Sequence, residues 1–337
     1  MNYNDFLKKK SLTDNLYLIV GEEKYLADKV ESFIKKEFLA DNLDGVIAVN
    51  GAAEIKELSN TVNSVPFFAP YNLVVVKEFK LLRDSKKNAE KSKEKDEEDF
   101  LTLINLLPQF SILVLIADKV DKRRRIYKAI DKNGTIIEVN RLKVKEVREW
   151  LEIKLRELGK SFDSEANQYF LEVVSRMSNI SLGLLDQEIN KIGLYNEEKI
   201  ITKKDLVNVF AGIPEASIFA LTDAIGERKL VKALNLLKEQ IANGEHFLKI
   251  LTMLIREVRL LLRAKQLKEL GYSHDNIATK LELLSFIADK VIEKSRNFTE
   301  KKLEQALINL AQLDGDFKTG QADNVAMEKI IIDLIKK

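Results

Sequence analysis

Hydrophobic residues in the first 140 positions form short, almost continuous runs that alternate with helical patterns. The runs predict β-strands over residues 15–20, 46–50, 72–77, 111–117 and 135–140. Between them, apolar residues recur at helical spacing over residues 25–38 and 54–62. Apolar strands separated by helices are typical of a parallel sheet that is covered on both faces. Residues 1–140 therefore predict an α/β domain of the nucleotide-binding type.

After residue 140 the strand pattern ends and only helical patterns follow. Apolar stripes predict helices over residues 143–158, 164–177, 181–194 and 245–270. Thr202 and Asp205 have the spacing of a helix-capping box, so another helix is expected to begin there. The sequence GIPE at residues 212–215 marks a boundary. We therefore predict an α/β plus all-α protein, with a helical module over residues 141–210 and a helical bundle over residues 211–337.

Composition limits the classes of function. The 337 residues suit two or three domains, and 55 Lys and Arg against 53 Asp and Glu leave a net charge of +2. Any contact with nucleic acid must therefore come from a local patch. Cysteine is absent and histidine occurs only at His246 and His274, which excludes thiolate chemistry and zinc clusters. The amino terminus lacks a signal-peptide pattern and no apolar run could span a membrane, so we expect a cytoplasmic protein.

The turn after the first predicted strand lies where a phosphate loop would lie. A working loop needs a second glycine, a lysine and a hydroxyl residue, because these groups bind phosphate and magnesium. The sequence instead has Leu26, Ala27 and Asp28. The adjacent carboxylates Glu22 and Glu23 would also repel phosphate.

The end of the fourth predicted strand departs from the ATPase pattern as well. An ATPase usually has an Asp-Glu pair there, whereas this chain has Asp118 followed by Lys119. Both departures indicate a nucleotide fold that has lost nucleotide chemistry, with no cofactor and no catalytic residue. Ordinary strand-to-helix turns in an unrelated α/β domain would give the same pattern, and this alternative stays open at this point.

Phe67 and Phe68 are adjacent, which is unusual for core residues. Adjacent side chains point about 100° apart on a helix and to opposite faces on a strand, so one buried face cannot easily hold both. We expect at least one ring to be exposed, as an anchor for a protein groove. Pro66 and Pro70 stiffen the backbone around them. In the alternative, both rings pack beneath a loop.

Two charged segments stand out. Residues 83–99 contain Ala89 as their one apolar side chain, so this stretch predicts a solvated loop or a frayed helix, with nucleic-acid binding as the alternative. The second segment is a basic cluster at the start of the helix after the fourth strand, formed by Lys122, Arg123, Arg124 and Arg125. It is a candidate contact for a DNA phosphate or a neighbouring subunit, and a solvated helix start is the alternative.

Several segments, in their order and spacing, resemble one known family. They are residues 17–26, residues 66–69 with 73–76, residues 188–192 with 194–195 and 201–202, and residues 310–320 with 327–330. The family is that of the delta subunit of the bacterial DNA polymerase III clamp loader. In turn, these segments are similar to its degenerate phosphate loop, its clamp-binding element, its lid domain and its closing helices. Asn190 departs from the leucine that is more usual in the lid.

The resemblance implies an AAA+-like domain over residues 1–140, a lid over 141–210 and a collar over 211–337 that joins a ring of five subunits. It implies a subunit of a DNA-directed DNA polymerase, a nucleotidyltransferase holoenzyme, that does not itself hydrolyse ATP. By position, Phe67 and Phe68 would enter the clamp, with Val65 alongside.

The partners that the resemblance implies are the sliding clamp (beta), the gamma/tau and delta prime subunits, and primed DNA, with no membrane. In the family, the subunit binds and opens the clamp so that it can be loaded on DNA. Two rivals remain at this stage: an active AAA+ ATPase and a helical nucleic-acid-binding scaffold.

Overall fold

The computed structural model describes residues 1–40, 42–82, 91–177, 179–195, 197–210, 213–321 and 324–336. Two compact units make up the chain. The first comprises Met1–Lys143 with Ser181–Gly183, and the second comprises Val144–Ile180 with Leu184–Lys337.

The first unit is built on a parallel five-stranded sheet in the order β2-β3-β4-β1-β5. Its strands are β1 (Leu16–Val20), β2 (Val46–Asn50), β3 (Asn72–Lys77), β4 (Ser111–Ala117) and β5 (Thr135–Glu138). All five predicted strands are confirmed, with ends that differ by at most two residues. The central strands are buried along almost their whole length because helices cover both faces of the sheet.

In the described part of this unit, five α-helices accompany the sheet: α1 (Tyr3–Leu7), α2 (Lys24–Leu39), α3 (Ile55–Asn63), α4 (Lys91–Asn105) and α5 (Arg125–Asn133). Helices α3, α4 and α5 bury apolar side chains against Leu16 and Leu18 on one face. On the other face, Tyr17 packs edge-on against Phe6 of α1, with ring centroids 5.8 Å apart. Side chains alternate between the faces along β1, as a β-strand requires.

The charged segment 83–99 is divided by the structure. Residues 83–90 lie outside the described residues, and residues 91–99 form the first part of α4. The frayed-helix alternative therefore describes residues 91–99 better than a loop does. Glu97 in this part of α4 forms an ion pair with Arg124 at 3.1 Å.

The second unit is helical. Its helices are α6 (Val144–Glu157), α7 (Ser164–Arg176), α8 (Leu182–Tyr195), α9 (Lys203–Val209), α10 (Pro214–Gly226), α11 (Leu230–Ala242), α12 (Phe247–Glu269), α13 (His274–Leu281), α14 (Ser285–Ser295), α15 (Glu300–Lys318) and α16 (Asn324–Ile335). Helix α8 begins in the short segment that belongs to the first unit. A two-stranded parallel ribbon, β6 (Ser161–Phe162) with β7 (Ile200–Ile201), was not predicted. The predicted capping box of Thr202 and Asp205 is present at the start of α9.

Helix α12 is the centre of this unit. Its apolar stripe includes Ile250, Leu254 and Leu261, all buried, and the helix packs against α10, α13, α14 and α15. A buried ion pair at 2.5 Å joins Glu257 of α12 to Arg176 of α7. The predicted lid and collar thus share one compact unit. Their predicted boundary includes residues 211–212, which lie outside the described residues, so the division into three domains stays a prediction.

Among the described residues, no helix combines the length and the apolar character that a membrane crossing requires.

Candidate protein-binding loop and phosphate-loop turn

The phosphate-loop turn, residues 21–24, connects β1 to α2. Two of its backbone N–H groups donate hydrogen bonds to backbone carbonyls of this chain. Gly21 N–H donates to the Ala117 carbonyl at 3.1 Å, and Glu23 N–H donates to the Val139 carbonyl at 3.0 Å. Gly21 has a φ of +147°, and a Cβ atom there would lie 2.3 Å from the Val139 oxygen. Glycine is needed because the chain passes so close to the strand end. In a phosphate loop, such N–H groups would instead point at the ligand.

The amino terminus of α2 is occupied by a carboxylate of the chain itself. The Glu23 side chain caps the helix by accepting from the Tyr25 N–H at 3.3 Å. Burial raises the pKa of Glu23, while the Tyr25 hydrogen bond and the charge of Arg141 act in the opposite direction. A helix amino terminus favours an anion, and Glu23 supplies that anion.

The neighbouring carboxylate is paired with cations of this edge of the sheet. Glu22 lies 2.8 Å from Lys119 and 3.2 Å from Arg141. The hydrogen bond from Lys119, together with the charges of Lys119 and Arg141, lowers the pKa of Glu22. Lys119 thus pairs with Glu22, at the strand end where an ATPase has a second carboxylate. With two carboxylates at this turn and Lys119 in place of a metal-binding carboxylate, these residues do not fit a nucleoside triphosphate with its magnesium ion.

The aromatic loop, residues 64–71, connects α3 to β3. Its side chains Val65, Phe67 and Phe68 are 64%, 92% and 84% exposed. The expectation that at least one ring is exposed is confirmed, since both are. The alternative in which both rings pack beneath a loop is wrong. In the described part of the chain, neither ring contacts another aromatic ring.

Three neighbouring apolar side chains that are exposed to water favour aggregation unless a partner covers them. Burying one phenylalanine yields about 1.5–3 kcal/mol from its area, so two rings supply a substantial part of a binding free energy. These three side chains can anchor the loop in a groove of a partner protein.

The aromatic loop and the phosphate-loop turn lie at opposite ends of the parallel strands. It leads into the first residue of β3, whereas the turn follows the last residue of β1, and the two strands run parallel within one sheet. Ligands of open α/β sheets usually bind at the carboxyl ends of the strands. The exposed rings lie instead at the amino ends of the strands.

Close packing holds the base of the aromatic loop. The Tyr71 ring packs edge-on against Phe38 of α2 at 5.3 Å. A Cβ atom on Gly45 would lie 2.6 Å from the Tyr71 carbonyl oxygen and 2.7 Å from the Ala69 Cβ. Gly45 therefore allows the backbone of the loop to approach that of the segment before β2.

The polar residues that hold the loop were not predicted from the sequence. Asn72 and Ser111 begin β3 and β4, and are 2% and 0% exposed. A single polar residue at the start of an apolar strand was the available signal, because a buried polar group needs a partner. Asn42 was also missed, and its contact with the loop carries no sequence signal.

The basic cluster is largely neutralised by carboxylates of its own unit. The ion pairs are Lys122–Glu138 at 2.7 Å, Arg123–Asp121 at 2.9 Å and Arg124–Glu97 at 3.1 Å. Hydrogen bonds from Arg123 lower the pKa of Asp121 to about 2. Arg125 is exposed at the first position of α5. The pairs support the solvated helix start, and a DNA or subunit contact by the four residues stays a prediction.

Comparison with known proteins shows similarity to one family. Two family models match the chain: "DNA polymerase III, delta subunit" over residues 17–140, and "DNA polymerase III delta subunit, C-terminal domain" over residues 215–334. The DNA polymerase III subunit delta of Bacillus subtilis is 26% identical, over 98% of this chain and 95% of that protein. A probable DNA polymerase III subunit delta of Aquifex aeolicus is 23% identical, over 93% of this chain and 89% of that protein.

A solved structure shares the fold. The DNA clamp loader delta protein of Bacillus subtilis aligns with a TM-score of 0.61 and 24% identity, over 99% of both chains. The predicted fold class, a parallel-sheet α/β domain followed by helices, is confirmed by the sheet topology and by this match, and the finer AAA+-like assignment stays a prediction.

Proposed function

This chain belongs to the DNA polymerase III delta-subunit family, and from that premise we propose that its aromatic loop is the site that binds the sliding clamp. Membership in the family implies interaction with a clamp and with other clamp-loader subunits. The observation that carries the proposal is the exposure of Phe67 and Phe68, 92% and 84%, next to Val65.

Clamp opening follows from differential binding. If the aromatic loop binds a groove that is accessible or better shaped in the open clamp, the open state gains population by the difference in binding free energy. No covalent chemistry is required. ATP would act in other subunits of the loader, because in this chain Glu23 caps the amino terminus of α2 and Glu22 is paired with Lys119.

The finer assignments belong to the same proposal. The helical residues 211–337 would join the gamma/tau and delta prime subunits, and primed DNA would pass through the assembled loader. The work of such a loader takes place in the cytoplasm, where bacterial DNA is replicated. The rival of an active ATPase predicts saturable binding of a fluorescent ATP analogue to the isolated chain, and the closed turn speaks against it.

The test compares clamp binding by the wild type and by a variant that carries Phe67→Ala and Phe68→Ala. Leu194 and Tyr195 provide the control, because they are also adjacent and both are 85% exposed. Surface plasmon resonance with a bacterial sliding clamp should show about a 100-fold or larger loss of affinity for the phenylalanine variant, from about 1.5 kcal/mol or more per ring. The variant with Leu194→Ala and Tyr195→Ala should bind like the wild type. Equal affinity of the phenylalanine variant and the wild type would rule out this site.

A further inference from the structure

The aromatic loop is anchored at its start by two buried side chains of the sheet. The Asn72 amide donates to the carbonyls of Thr61 at 2.7 Å and Ser64 at 3.2 Å. The Ser111 hydroxyl donates to the Val62 carbonyl at 2.6 Å. Asn72 and Ser111 are paired across the neighbouring strands β3 and β4.

These bonds give side-chain partners to carbonyls at the end of α3. The last carbonyls of a helix have no partner within the helix, and they are usually capped by a glycine turn or by water. Here no glycine follows α3. The carbonyls of Thr61, Val62 and Ser64 accept from side chains, and the Thr61 carbonyl also accepts from the Ser64 N–H at 3.3 Å. The direction in which the chain leaves α3 is therefore fixed by the sheet.

A second anchor lies on the far side of the rings. The Asn42 side-chain amide donates to the Phe68 carbonyl at 2.6 Å, across 26 residues of sequence. The Asn42 side-chain oxygen accepts from the Asp44 N–H at 3.1 Å, which fixes the orientation of the amide. The backbone of Phe68 is thus tied to the segment between α2 and β2, while its ring stays in water.

We propose that Asn42, Asn72 and Ser111 are positioning residues for partner binding: they hold the backbone on both sides of Phe67 and Phe68 in the conformation that enters the partner's groove. The inference rests on the proposed function of the loop. A free loop would lose conformational entropy on binding, and an anchored loop has already lost much of it. Neither asparagine needs to touch the partner.

Asn42 allows an isosteric test that spares the fold. Asn42→Asp keeps the oxygen that accepts from Asp44 N–H, but it removes the amide that donates to Phe68. Asn50 is a matched control, because its side-chain oxygen accepts from Ala52 N–H at 2.9 Å in a local turn of the same kind. In the described residues the Asn50 side-chain amide donates no hydrogen bond. Asn50→Asp therefore makes the same change of charge without the loss of a donor.

The full-length variants are compared by surface plasmon resonance with a bacterial sliding clamp, and by amide hydrogen exchange of the free chain. Asn42→Asp should weaken binding by about threefold to tenfold, the usual effect of one net hydrogen bond, and speed exchange over residues 65–70. Its melting temperature should match that of Asn50→Asp, and Asn50→Asp should bind like the wild type. Ser111→Ala should also weaken binding, and Ser111→Thr, which keeps a hydroxyl, should restore it.

The outcomes separate this inference from the proposed function. If Phe67→Ala with Phe68→Ala abolishes binding while Asn42→Asp and Ser111→Ala bind like the wild type, the positioning role is wrong and the binding site stands. If the phenylalanine variant binds like the wild type, the proposed function itself fails, and the positioning role fails with it.

Discussion

At the scale of single residues, the exposed rings separate stability from binding. A side chain that is in water in both the folded and the unfolded chain contributes little to the free energy of unfolding. Phe67→Ala should therefore change that free energy by less than about 0.5 kcal/mol. Phe100, which is 0% exposed and packs on Phe79 at 4.9 Å, is the matched control. Phe100→Ala should cost about 3–5 kcal/mol.

Urea unfolding followed by circular dichroism measures both variants. A large loss of stability in Phe67→Ala would mean that the ring is covered in solution. In that case the loop could not serve as a free anchor, and the exposure on which the proposed function depends would be absent.

The buried ion pair between Arg176 and Glu257 is a second prediction at this scale. Arg176 also lies over the Phe219 ring, 4.5 Å from its centroid, and donates to the Thr222 hydroxyl at 3.1 Å, while both charged residues of the pair are buried. Removing one partner of a buried pair leaves an uncompensated charge, which costs about 3–5 kcal/mol. Glu257→Gln should lower the free energy of unfolding by that amount.

The control for this pair is Glu152→Gln, which breaks the exposed ion pair of Arg148 and Glu152 at 3.5 Å. Exposed pairs contribute less than about 1 kcal/mol, so this variant should unfold nearly like the wild type. Equal urea midpoints for the Glu257 and Glu152 variants would contradict the assigned burial of the pair.

At the scale of elements, helix α2 should contribute to the acid sensitivity of the protein. Burial alone would raise the pKa of Glu31, but hydrogen bonds from Lys35 and Lys77 outweigh it and lower the pKa below the ordinary 4.5. The stabilisation is therefore present above pH 4.5 and is lost as the pH falls through the lower folded-state pKa. Glu31→Gln should be less stable than the wild type at pH 7, and the two should converge in acid.

Urea unfolding at a series of pH values from 7 downwards measures this convergence. Glu37→Gln is the control, because Glu37 is exposed on the same helix, and its curve should run parallel to that of the wild type. A constant difference between Glu31→Gln and the wild type at all pH values would show that Glu31 acts through packing and not through its charge.

The elements with strong periodicity were predictable from the sequence. A buried parallel strand such as β4 is a continuous apolar run, and α12 carries an apolar stripe over 23 residues. Helix α1 has five residues and the ribbon strands have two each, so these segments are too short to show a period. The first turns of α4 lack apolar residues, and their helical state could not be read from a hydrophobic pattern.

The candidate site was predictable only in part, for a similar reason. The adjacency of Phe67 and Phe68 is local, and it was enough to predict an exposed ring. The bond from Asn42 to the Phe68 carbonyl joins residues that are 26 positions apart, and no local pattern encodes it. The ion pair of Glu22 with Lys119 is likewise a product of the sheet order, which brings β1 beside β4.

At the scale of the whole molecule, the proposed tasks divide between the two units. The rings of the aromatic loop and the residues that anchor it, Asn42, Asn72 and Ser111, all lie in Met1–Lys143. The phosphate-loop turn lies there too, at the opposite end of the parallel strands. The second unit offers helices and no part of the loop. We therefore predict that clamp binding and loader assembly can be separated by cutting the chain at residue 143.

Two fragments, residues 1–143 and residues 144–337, test that separation. Circular dichroism first checks that each fragment is folded. The first fragment should bind a bacterial sliding clamp within about tenfold of the affinity of the full chain, since its anchored loop is complete, although the fragment lacks Ser181–Gly183 of the same unit. The second should not bind the clamp, yet it should be captured by the other clamp-loader subunits. Phe67→Ala with Phe68→Ala in the first fragment is the control and should abolish its binding. Capture of the clamp by residues 144–337 would move the site out of the sheet domain, because that fragment contains neither ring.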